Sequence, residues 1–144
     1  MDRTDHLTDA NLVLVVEDSE VDREAIDRAL SRSHPELRLE FLPNGDAVLE
    51  RLRDTARPRP ALMFLDLSMP GVDGYGVLSA VRADPDFATL TIIVLTSSTT
   101  SADIERCYAA GADSYIYKPV NFALFRTVLQ GAVDYWHNLP DRPR

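Results

Sequence analysis

The sequence predicts an α/β protein with a parallel β-sheet, because two hydrophobic patterns alternate along the chain. Short apolar runs of strand length are separated by segments whose apolar residues recur at helical spacing. This alternation is typical of repeated βα units and of the parallel sheets that they build. The chain has 144 residues, a length suited to one domain. We expect that domain at residues 11–138, after a flexible N-terminal segment at 1–10 and before a C-terminal tail at 139–144.

Five apolar runs have the length and composition of strands. They lie at residues 12–16, 37–42, 61–65, 90–95 and 114–117. The first and third, LVLVV and ALMFL, are apolar throughout, as is typical of strands buried on both faces of a sheet. The second alternates in polarity, which also indicates a strand.

A segment of helical periodicity follows each strand. The helices are expected at about 20–31, 47–52, 77–81, 102–110 and 121–137. Pro43, Asn44 and Gly45 provide a turn before the second helix. The Ser/Thr cluster after Thr96 can cap the fourth helix, and Gly111 fits the position just beyond its C-terminal end. The chain therefore reads as five βα units in a single domain.

The composition limits the possible functions. The net charge of −8 disfavours binding of this chain alone to nucleic acid or to anionic membranes. The polar N-terminus differs from a signal peptide, and no apolar run reaches membrane-spanning length. The single cysteine, Cys107, favours a reducing compartment. We therefore expect a cytoplasmic protein.

Three acidic residues and a lysine stand directly after predicted strands. Glu17 and Asp18 follow the first strand, Asp66 follows the third, and Lys118 follows the fifth. Because parallel strands end at the same edge of a sheet, these side chains are expected to converge on one pocket. Thr96 follows the fourth strand and would bring a hydroxyl group to the same edge.

The residue types in this pocket suit phosphoryl transfer. The carboxylates of Asp18 and Asp66 are hard oxygen ligands of the kind that Mg²⁺ prefers, and the longer Glu17 could hold a metal-bound water. Lys118 would pair with Asp66 at rest and with a phosphoryl oxygen later. The hydroxyl of Thr96 could donate to the same group. The pattern therefore predicts a Mg²⁺ and phosphoryl pocket.

Each of these residues also has a simpler interpretation. Asp18 could cap the first helix, and Asp66 could be a solvated turn residue. Lys118 could be a surface lysine, and Thr96 a helix cap. Only the combination, in the order acid pair, acid, hydroxyl, lysine, is specific.

Two other protein classes use related groups. A phosphatase of the haloacid dehalogenase type needs a second acid two residues after its nucleophile, a position held here by Ser68. A flavodoxin or other nucleotide-binding module needs a Gly-rich or Ser/Thr-rich phosphate loop after the first strand. That loop here is EDSEVD, which repels phosphate unless a metal intervenes. Both classes are disfavoured.

Four motifs, in order and with suitable spacing, resemble the receiver domain of two-component response regulators. They are VVEDSEVD, FLDLSMPGVDGYGVL, IIVLTSS and AGADSYIYKPV, and the resemblance covers about residues 10–137. It implies a flavodoxin-like (βα)5 fold with strand order 2-1-3-4-5.

The resemblance also implies roles in phosphoryl transfer and switching. Asp66 would be the phosphoacceptor, and Thr96 and Lys118 would contact the phosphoryl oxygens. Tyr115 would be an aromatic switch that responds to Thr96. The peptide bond between Lys118 and Pro119 would be cis.

The same resemblance implies a set of ligands for Mg²⁺. Asp18 and Asp66 would bind the ion directly, together with the backbone carbonyl of Ser68. Glu17 would assist through a water molecule, in a position where aspartate is commoner in the family.

A closer likeness concerns the C-terminal part of the chain. TSS, DIERCYAAGADSYIYKPVNF and FRTVLQGAVDYW are similar to the small stand-alone regulators that accompany bacterial phytochrome histidine kinases. This likeness implies a single-domain response regulator phosphorylated by such a kinase, which is a signalling protein rather than an enzyme. The alternative is a degenerate receiver that binds protein partners independently of phosphorylation.

The last helix suggests a subunit interface. One apolar stripe consists of Phe122, Phe125, Leu129, Val133 and Trp136. A second apolar stripe lies beside it, which leaves a narrower polar strip than a surface helix normally has. We expect a symmetric homodimer through the fourth helix, fifth strand and fifth helix. A broad core face with scattered exposed apolar residues is the alternative.

The first helix borders the acidic pocket and is a plausible docking surface for a kinase. Its charged residues are expected to be exposed, and they are Glu20, Asp22, Arg23, Glu24 and Asp27. An ordinary solvated face is the alternative interpretation.

Overall fold

A five-stranded parallel sheet forms the centre of the protein. The computed structural model describes residues 8–69 and 73–137. The strands are β1 (Thr8–Val16), β2 (Arg38–Leu42), β3 (Arg59–Asp66), β4 (Thr91–Thr96) and β5 (Ser114–Tyr117). They lie in the order β2-β1-β3-β4-β5, and all neighbouring pairs are parallel. The predicted fold class and strand order are confirmed.

Five α-helices connect or follow the strands. They are α1 (Glu20–Ser33), α2 (Val48–Arg53), α3 (Gly74–Ala83), α4 (Ser101–Ala109) and α5 (Phe122–His137). Short 3-10 turns at Gly45–Ala47 and Pro85–Phe87 precede α2 and β4. Each helix lies where the periodicity placed it, with ends that differ by a few residues.

The sheet carries a hydrophobic core on each face. One core contains Leu14 and Val16 of β1 together with residues of α2, α3 and α4. The other contains Val13 and Val15 of β1 together with residues of α1 and α5. Successive side chains of a strand point to opposite faces, so a continuous apolar run is needed to fill both cores.

The first strand begins earlier than its apolar run. Thr8 and Asp9 pair with Arg59 and Pro60 of β3, and the register shifts before Val13. Residues 8–10, expected in a flexible segment, therefore belong to the sheet, because backbone pairing requires no apolar side chain. Residues 1–7 and the predicted tail at 139–144 lie outside the described residues.

The last helix turns most of its predicted interface stripe inward. Phe125, Leu129 and Val133 are buried against the sheet in the core shared with α1. Trp136 packs partly against the same core, and only Phe122 is well exposed. The interface prediction is therefore wrong for Phe125, Leu129 and Val133, because these side chains fill the core between α5 and the sheet.

Among the described residues, none of the helices combines the length and the apolar character required to cross a membrane.

Candidate functional site

The predicted site residues follow neighbouring strands at one edge of the sheet. Val16, which precedes Glu17, is paired with Leu65, the residue before Asp66. Asp66 is paired with Leu95, and Thr96 with Tyr117, the residue before Lys118. The register therefore brings the ends of β1, β3, β4 and β5 level with each other, as the parallel topology predicted.

Asp66 is held at the end of β3 by two contacts. Its Oδ1 accepts a hydrogen bond from the backbone N–H of Ser68 at 2.8 Å, and its Oδ2 lies 3.2 Å from Nζ of Lys118. Asp66 is only 2% exposed, whereas Ser68 is exposed. The carboxylate is therefore fixed in orientation and already paired with a cation.

Glu17 and Asp18 differ sharply in their surroundings. Glu17 is fully buried, and Asp18 is exposed to solvent. Oε1 of Glu17 lies 3.2 Å from Nζ of Lys118, and Oε2 accepts a hydrogen bond from the backbone N–H of Ser19 at 3.2 Å. Burial, followed by the hydrogen bond and negative charge of Asp66, raises the pKa of Glu17 to about 8.

One oxygen from each of Glu17, Asp18 and Asp66 can lie within 4.8 Å of the others. The pKa of Glu17 is raised first by its burial and then by Asp66, and the closeness of three carboxylates adds a mutual repulsion. A divalent cation with oxygen ligands would relieve it, and Mg²⁺ and Mn²⁺ both prefer such ligands. The residues present therefore fit a hard divalent cation.

Lys118 makes three ion pairs, and the shortest one was not predicted. Its Nζ lies 2.7 Å from Oδ2 of Asp22, compared with 3.2 Å from Glu17 and 3.2 Å from Asp66. Burial would lower the pKa of Lys118, but the hydrogen bond of Asp22 and the charges of Asp66 and Glu17 outweigh it and raise that pKa. The ammonium group is therefore firmly protonated.

Two residues of α1 point into the site rather than into solvent. The sequence placed Asp22 and Arg23 on an exposed face, but both are half-buried. Asp22 reaches Lys118, and Nη1 of Arg23 donates to the backbone carbonyl of Glu17 at 3.0 Å. Asp22 stands four residues after Asp18, in the first turn of α1, and this nearness to the acid pair is a sequence signal that could have identified it.

Thr96 and Tyr115 are joined through one residue of the loop after β4. The backbone N–H of Ser98 donates to Oγ1 of Thr96 at 3.1 Å, and the hydroxyl of Tyr115 donates to the carbonyl of Ser98 at 2.8 Å. Thr96 is buried, and Tyr115 is half-buried against the core beside α4. The two predicted switch residues are thus in the same hydrogen-bonded unit.

Three local expectations have clear outcomes. The N-cap of α1 is Ser19, not Asp18, and the N-cap of α4 is Thr100, not Thr96. Asp18 and Thr96 therefore do not cap these helices, and the simpler interpretation of the two residues is wrong. The expected cis peptide before Pro119 is wrong, because all described peptide bonds are trans. The backbone N–H of Lys118 donates to the carbonyl of Thr96 at 2.8 Å.

Comparison with known proteins agrees with this geometry. Residues 13–130 match the response regulator receiver domain. The chain belongs to the response regulator receiver family. As a receiver, it is a two-component signalling protein, and the resemblance found in the sequence is confirmed.

Two sequence relatives cover most of this receiver. The probable methanogenesis regulatory protein FilR2 of Methanothrix harundinacea is 34% identical over 131 residues, which are 89% of this chain and 84% of FilR2. The response regulator Rcp1 of Synechocystis is 29% identical over 137 residues, which are 92% of this chain and 93% of Rcp1.

Solved structures of similar receivers have the same fold. The phosphorylated cyanobacterial phytochrome response regulator RcpA superposes with a TM-score of 0.84 at 28% identity, covering 93% of this chain and 99% of RcpA. The Mn²⁺-bound form of Synechocystis Rcp1 gives a TM-score of 0.83 at 29% identity, with coverage of 93% and 99%.

Proposed function

We propose that this receiver accepts a phosphoryl group on Asp66 from the phosphohistidine of a histidine kinase. The observation that carries the proposal is the fixed, buried Asp66 carboxylate, held by the Ser68 N–H and by Lys118 beside two further acids. An oxygen of Asp66 would form a bond to phosphorus as the bond from phosphorus to the histidine nitrogen breaks. The electron pair of that bond stays with the imidazole, which takes a proton from solvent.

The residues around Asp66 have distinct roles in this proposal. The ammonium group of Lys118 lies 3.2 Å from Oδ2 of Asp66. It would pair with a phosphoryl oxygen instead once Asp66 is phosphorylated. Thr96 would give its hydroxyl hydrogen to another phosphoryl oxygen. Both contacts place positive charge or a donor where negative charge develops, which is the main protein contribution to phosphoryl transfer.

We further propose Mg²⁺ as the bound metal, held by Asp18, Asp66 and the backbone carbonyl of Ser68, with Glu17 acting through water. The clustering of the three carboxylates supports this ligand set. When bound, the ion would neutralise part of the charge of the phosphoryl group. The crystal structure of Rcp1 with bound Mn²⁺ supports the proposal that a receiver of this kind binds a divalent ion.

The proposed kinase is of the phytochrome type, supported by the similarity to RcpA, which is a phytochrome response regulator. The proposed location is the cytoplasm, supported by the single cysteine, Cys107, which is buried and has no second cysteine with which to form an internal disulfide. The protein would act as a phosphoacceptor that catalyses only its own phosphorylation and slow dephosphorylation.

A groove between α1 and α5 supports a docking surface for the kinase beside the acidic pocket. Val21 is 63% exposed and Phe122 is 56% exposed, and both line a groove of about 220 Å³ with Arg28 and Arg126. A phosphohistidine must come within bonding distance of Asp66, so the kinase must cover the neighbouring surface. Val21→Asp is expected to slow transfer from an autophosphorylated phytochrome kinase and to leave phosphorylation by acetyl phosphate unchanged.

We also propose a homodimer through the surface of α4, β5 and α5. Its support is the exposure of three large apolar side chains, Tyr108 at 48%, Tyr117 at 43% and Leu124 at 53%. Leu124→Asp is expected to give a monomer in sedimentation experiments with the phosphoryl mimic beryllofluoride. Val21→Asp, which lies on α1, is the matched control, and a wild-type monomer with and without the mimic would contradict the dimer.

Incubation with Mg²⁺ and acetyl phosphate, followed by intact-mass measurement, tests the central proposal. We expect one added phosphoryl group on the wild type and on Asp46→Asn, an exposed aspartate of a surface turn. Asp66→Asn is expected to gain none. An unmodified wild type would favour the alternative of a degenerate receiver that binds partners independently of phosphorylation.

A further inference from the structure

Asp22 enters the site from α1 and makes the closest contact to Lys118. The distance from Nζ to Oδ2 of Asp22 is 2.7 Å, whereas Glu17 and Asp66 each lie 3.2 Å away. The side chains of Lys118 and Asp22 are 13% and 24% exposed, so water screens this pair only in part. An ammonium group has three hydrogens, and here it faces three carboxylates.

The backbone of Asp22 is held in place by the start of α1. Oγ of Ser19 accepts a hydrogen bond from the backbone N–H of Asp22 at 3.2 Å, which fixes the first helical turn. Arg23, the next residue, donates to the carbonyl of Glu17 at 3.0 Å and ties that turn to the end of β1. The carboxylate of Asp22 therefore projects from a rigid point beside the pocket.

The backbone of Lys118 is also held, because its N–H donates to the carbonyl of Thr96 at 2.8 Å, but its side chain is long and flexible. Lys118 follows the last residue of β5, and its side chain has four rotatable bonds that must be ordered to bring the ammonium group to Asp66. Glu17 and Asp66 both lie on the side of the proposed metal cluster. Asp22 is not a member of that cluster, so its carboxylate is not among the proposed metal ligands.

We propose that Asp22 is a positioning residue for phosphoryl transfer, which holds the ammonium group of Lys118 in the orientation that a phosphoryl group on Asp66 requires. The proposal rests on the proposed role of Asp66 as acceptor. With three carboxylates around it, the ammonium group is oriented before the reaction begins, so little reorganisation is needed as charge moves to the phosphoryl oxygens. Removal of Asp22 leaves Lys118 with two partners and a wider range of orientations.

If Asp22 only positions Lys118, its substitution should change the phosphorylation rate and leave the affinity for Mg²⁺ nearly unchanged. Asp22→Asn keeps the size of the side chain and removes its charge, while Glu17, Asp18 and Asp66 remain. At saturating acetyl phosphate and Mg²⁺, we expect the rate constant for phosphorylation to fall about tenfold, the scale of a misoriented catalytic group. The apparent dissociation constant for Mg²⁺ alone is expected to change much less. Asp22→Glu is expected to recover part of the rate.

The matched control is Asp46→Asn, which makes the same charge change in the 3-10 turn before α2. Asp46 is exposed and belongs to neither the acidic pocket nor a proposed docking surface. Its phosphorylation rate should equal that of the wild type. Thermal unfolding of each variant, recorded in parallel, shows that the compared proteins are folded.

A double-mutant cycle decides whether Asp22 acts through Lys118. In a Lys118→Ala background, Asp22→Asn is expected to have no further effect on the rate. An equal fall in both backgrounds, or a wild-type rate for Asp22→Asn, would overturn the positioning role while leaving Asp66 as the acceptor. A wild type that gains no phosphoryl group would overturn the proposed function and this role together.

Discussion

The hydroxyl of Tyr115 donates a hydrogen bond to the carbonyl of Ser98, 2.8 Å away, and so ties β5 to the loop that follows Thr96. The N–H of the same Ser98 donates to the hydroxyl oxygen of Thr96. A movement of Thr96 towards a phosphoryl group would therefore pull on the residue that holds Tyr115. This gives a physical route from the acceptor site to the surface of α4, β5 and α5.

Loss of the Tyr115 hydroxyl should loosen this loop. Tyr115→Phe removes the donor to the Ser98 carbonyl, and we expect a loss of about 1 kcal/mol of unfolding free energy. Hydrogen exchange in the loop after β4 should become faster. Tyr117→Phe, on the same strand with a 43% exposed side chain, is the control and should change neither quantity. Equal stability of the two variants would contradict a structural role for this bond.

Thr96 should be necessary for switching but insufficient by itself. A charge-assisted hydrogen bond contributes about 1.5–3 kcal/mol, whereas moving an equilibrium from about 1:99 to 99:1 requires about 5.5 kcal/mol. Thr96→Ala is therefore expected to reduce, in sedimentation experiments, the change in oligomeric state produced by beryllofluoride. An unchanged response would exclude this route. Thr100→Ala, which removes the N-cap of α4 instead, is the comparison.

Leu129 and Leu124 test which face of α5 is buried. Leu129 is fully buried against the sheet, and Leu124 is 53% exposed. Leu129→Ala is expected to lower the unfolding free energy by about 2–5 kcal/mol, because it leaves a cavity in the core. Leu124→Ala should change it by less than about 0.5 kcal/mol. Urea denaturation measures both changes in unfolding free energy. A larger loss for Leu124→Ala than for Leu129→Ala would indicate that Leu129 is on the exposed face of α5, as the sequence predicted.

The pair of Glu40 and Arg51 should make stability depend on pH. Two hydrogen bonds of 2.7 and 2.9 Å join these side chains, and Arg51 is buried. The hydrogen bond from Arg51 holds the pKa of Glu40 below its ordinary value of 4.5. Burial of Glu40 would raise this pKa, but the positive charges of Arg51 and Arg57 lower it further. The stabilisation is therefore complete above the unfolded pKa and is lost as the pH falls through the lower folded pKa.

Glu40→Gln should accordingly be less stable than the wild type at pH 7, by about 1–3 kcal/mol. The difference should shrink in urea titrations as the pH falls below 4.5, the ordinary value for Glu40. Glu50→Gln makes the same charge change at an exposed position of α2 and should remain close to the wild type at each pH. A pH-independent difference for Glu40→Gln would contradict the assignment.

Two glycines should respond to alanine in opposite directions. Gly111 has a φ of +113°, and an added Cβ would lie 2.3 Å from Cγ of Arg82, so Gly111→Ala should destabilise the protein by about 1–3 kcal/mol. Gly131 lies within α5, and apart from its chain neighbours and the nearby backbone of the same helix, no described atom would lie within 4 Å of its added Cβ. Gly131→Ala should therefore stabilise the monomer by about 0.5–1 kcal/mol. Thermal unfolding at low protein concentration compares the two.

Gly131 also tests an idea from the sequence, that another backbone approaches α5 closely at this position. Within the described part of the chain, none does. If Gly131→Ala weakens self-association in sedimentation experiments while raising monomer stability, a second copy approaches there. If association is unchanged, the glycine has no such role.

The sequence by itself determined the positions of the functional groups along the chain. Strand direction follows from short apolar runs alternating with helices, and parallel strands end at one edge, whereas the strand order was implied by the resemblance to receiver domains. Glu17, Asp66 and Lys118 are adjacent in the structure for that reason alone, although Glu17 and Lys118 are separated by 101 positions. Local pattern and chain connectivity were sufficient here.

Only the tertiary structure decided which side chains meet. Asp22 looked like a surface residue, because a helical pattern does not show that the first turn of the helix faces the lysine that follows β5. The stripe with Phe125, Leu129 and Val133 looked like an interface in the sequence, because the rotation of a helix about its own axis is set by packing and is not visible in periodicity. In the structure these three side chains are buried in the core shared with α1. Sequence periodicity shows which residues share a face of a helix or strand. The contacts between elements determine which of these faces is buried, which is exposed and which lines the site.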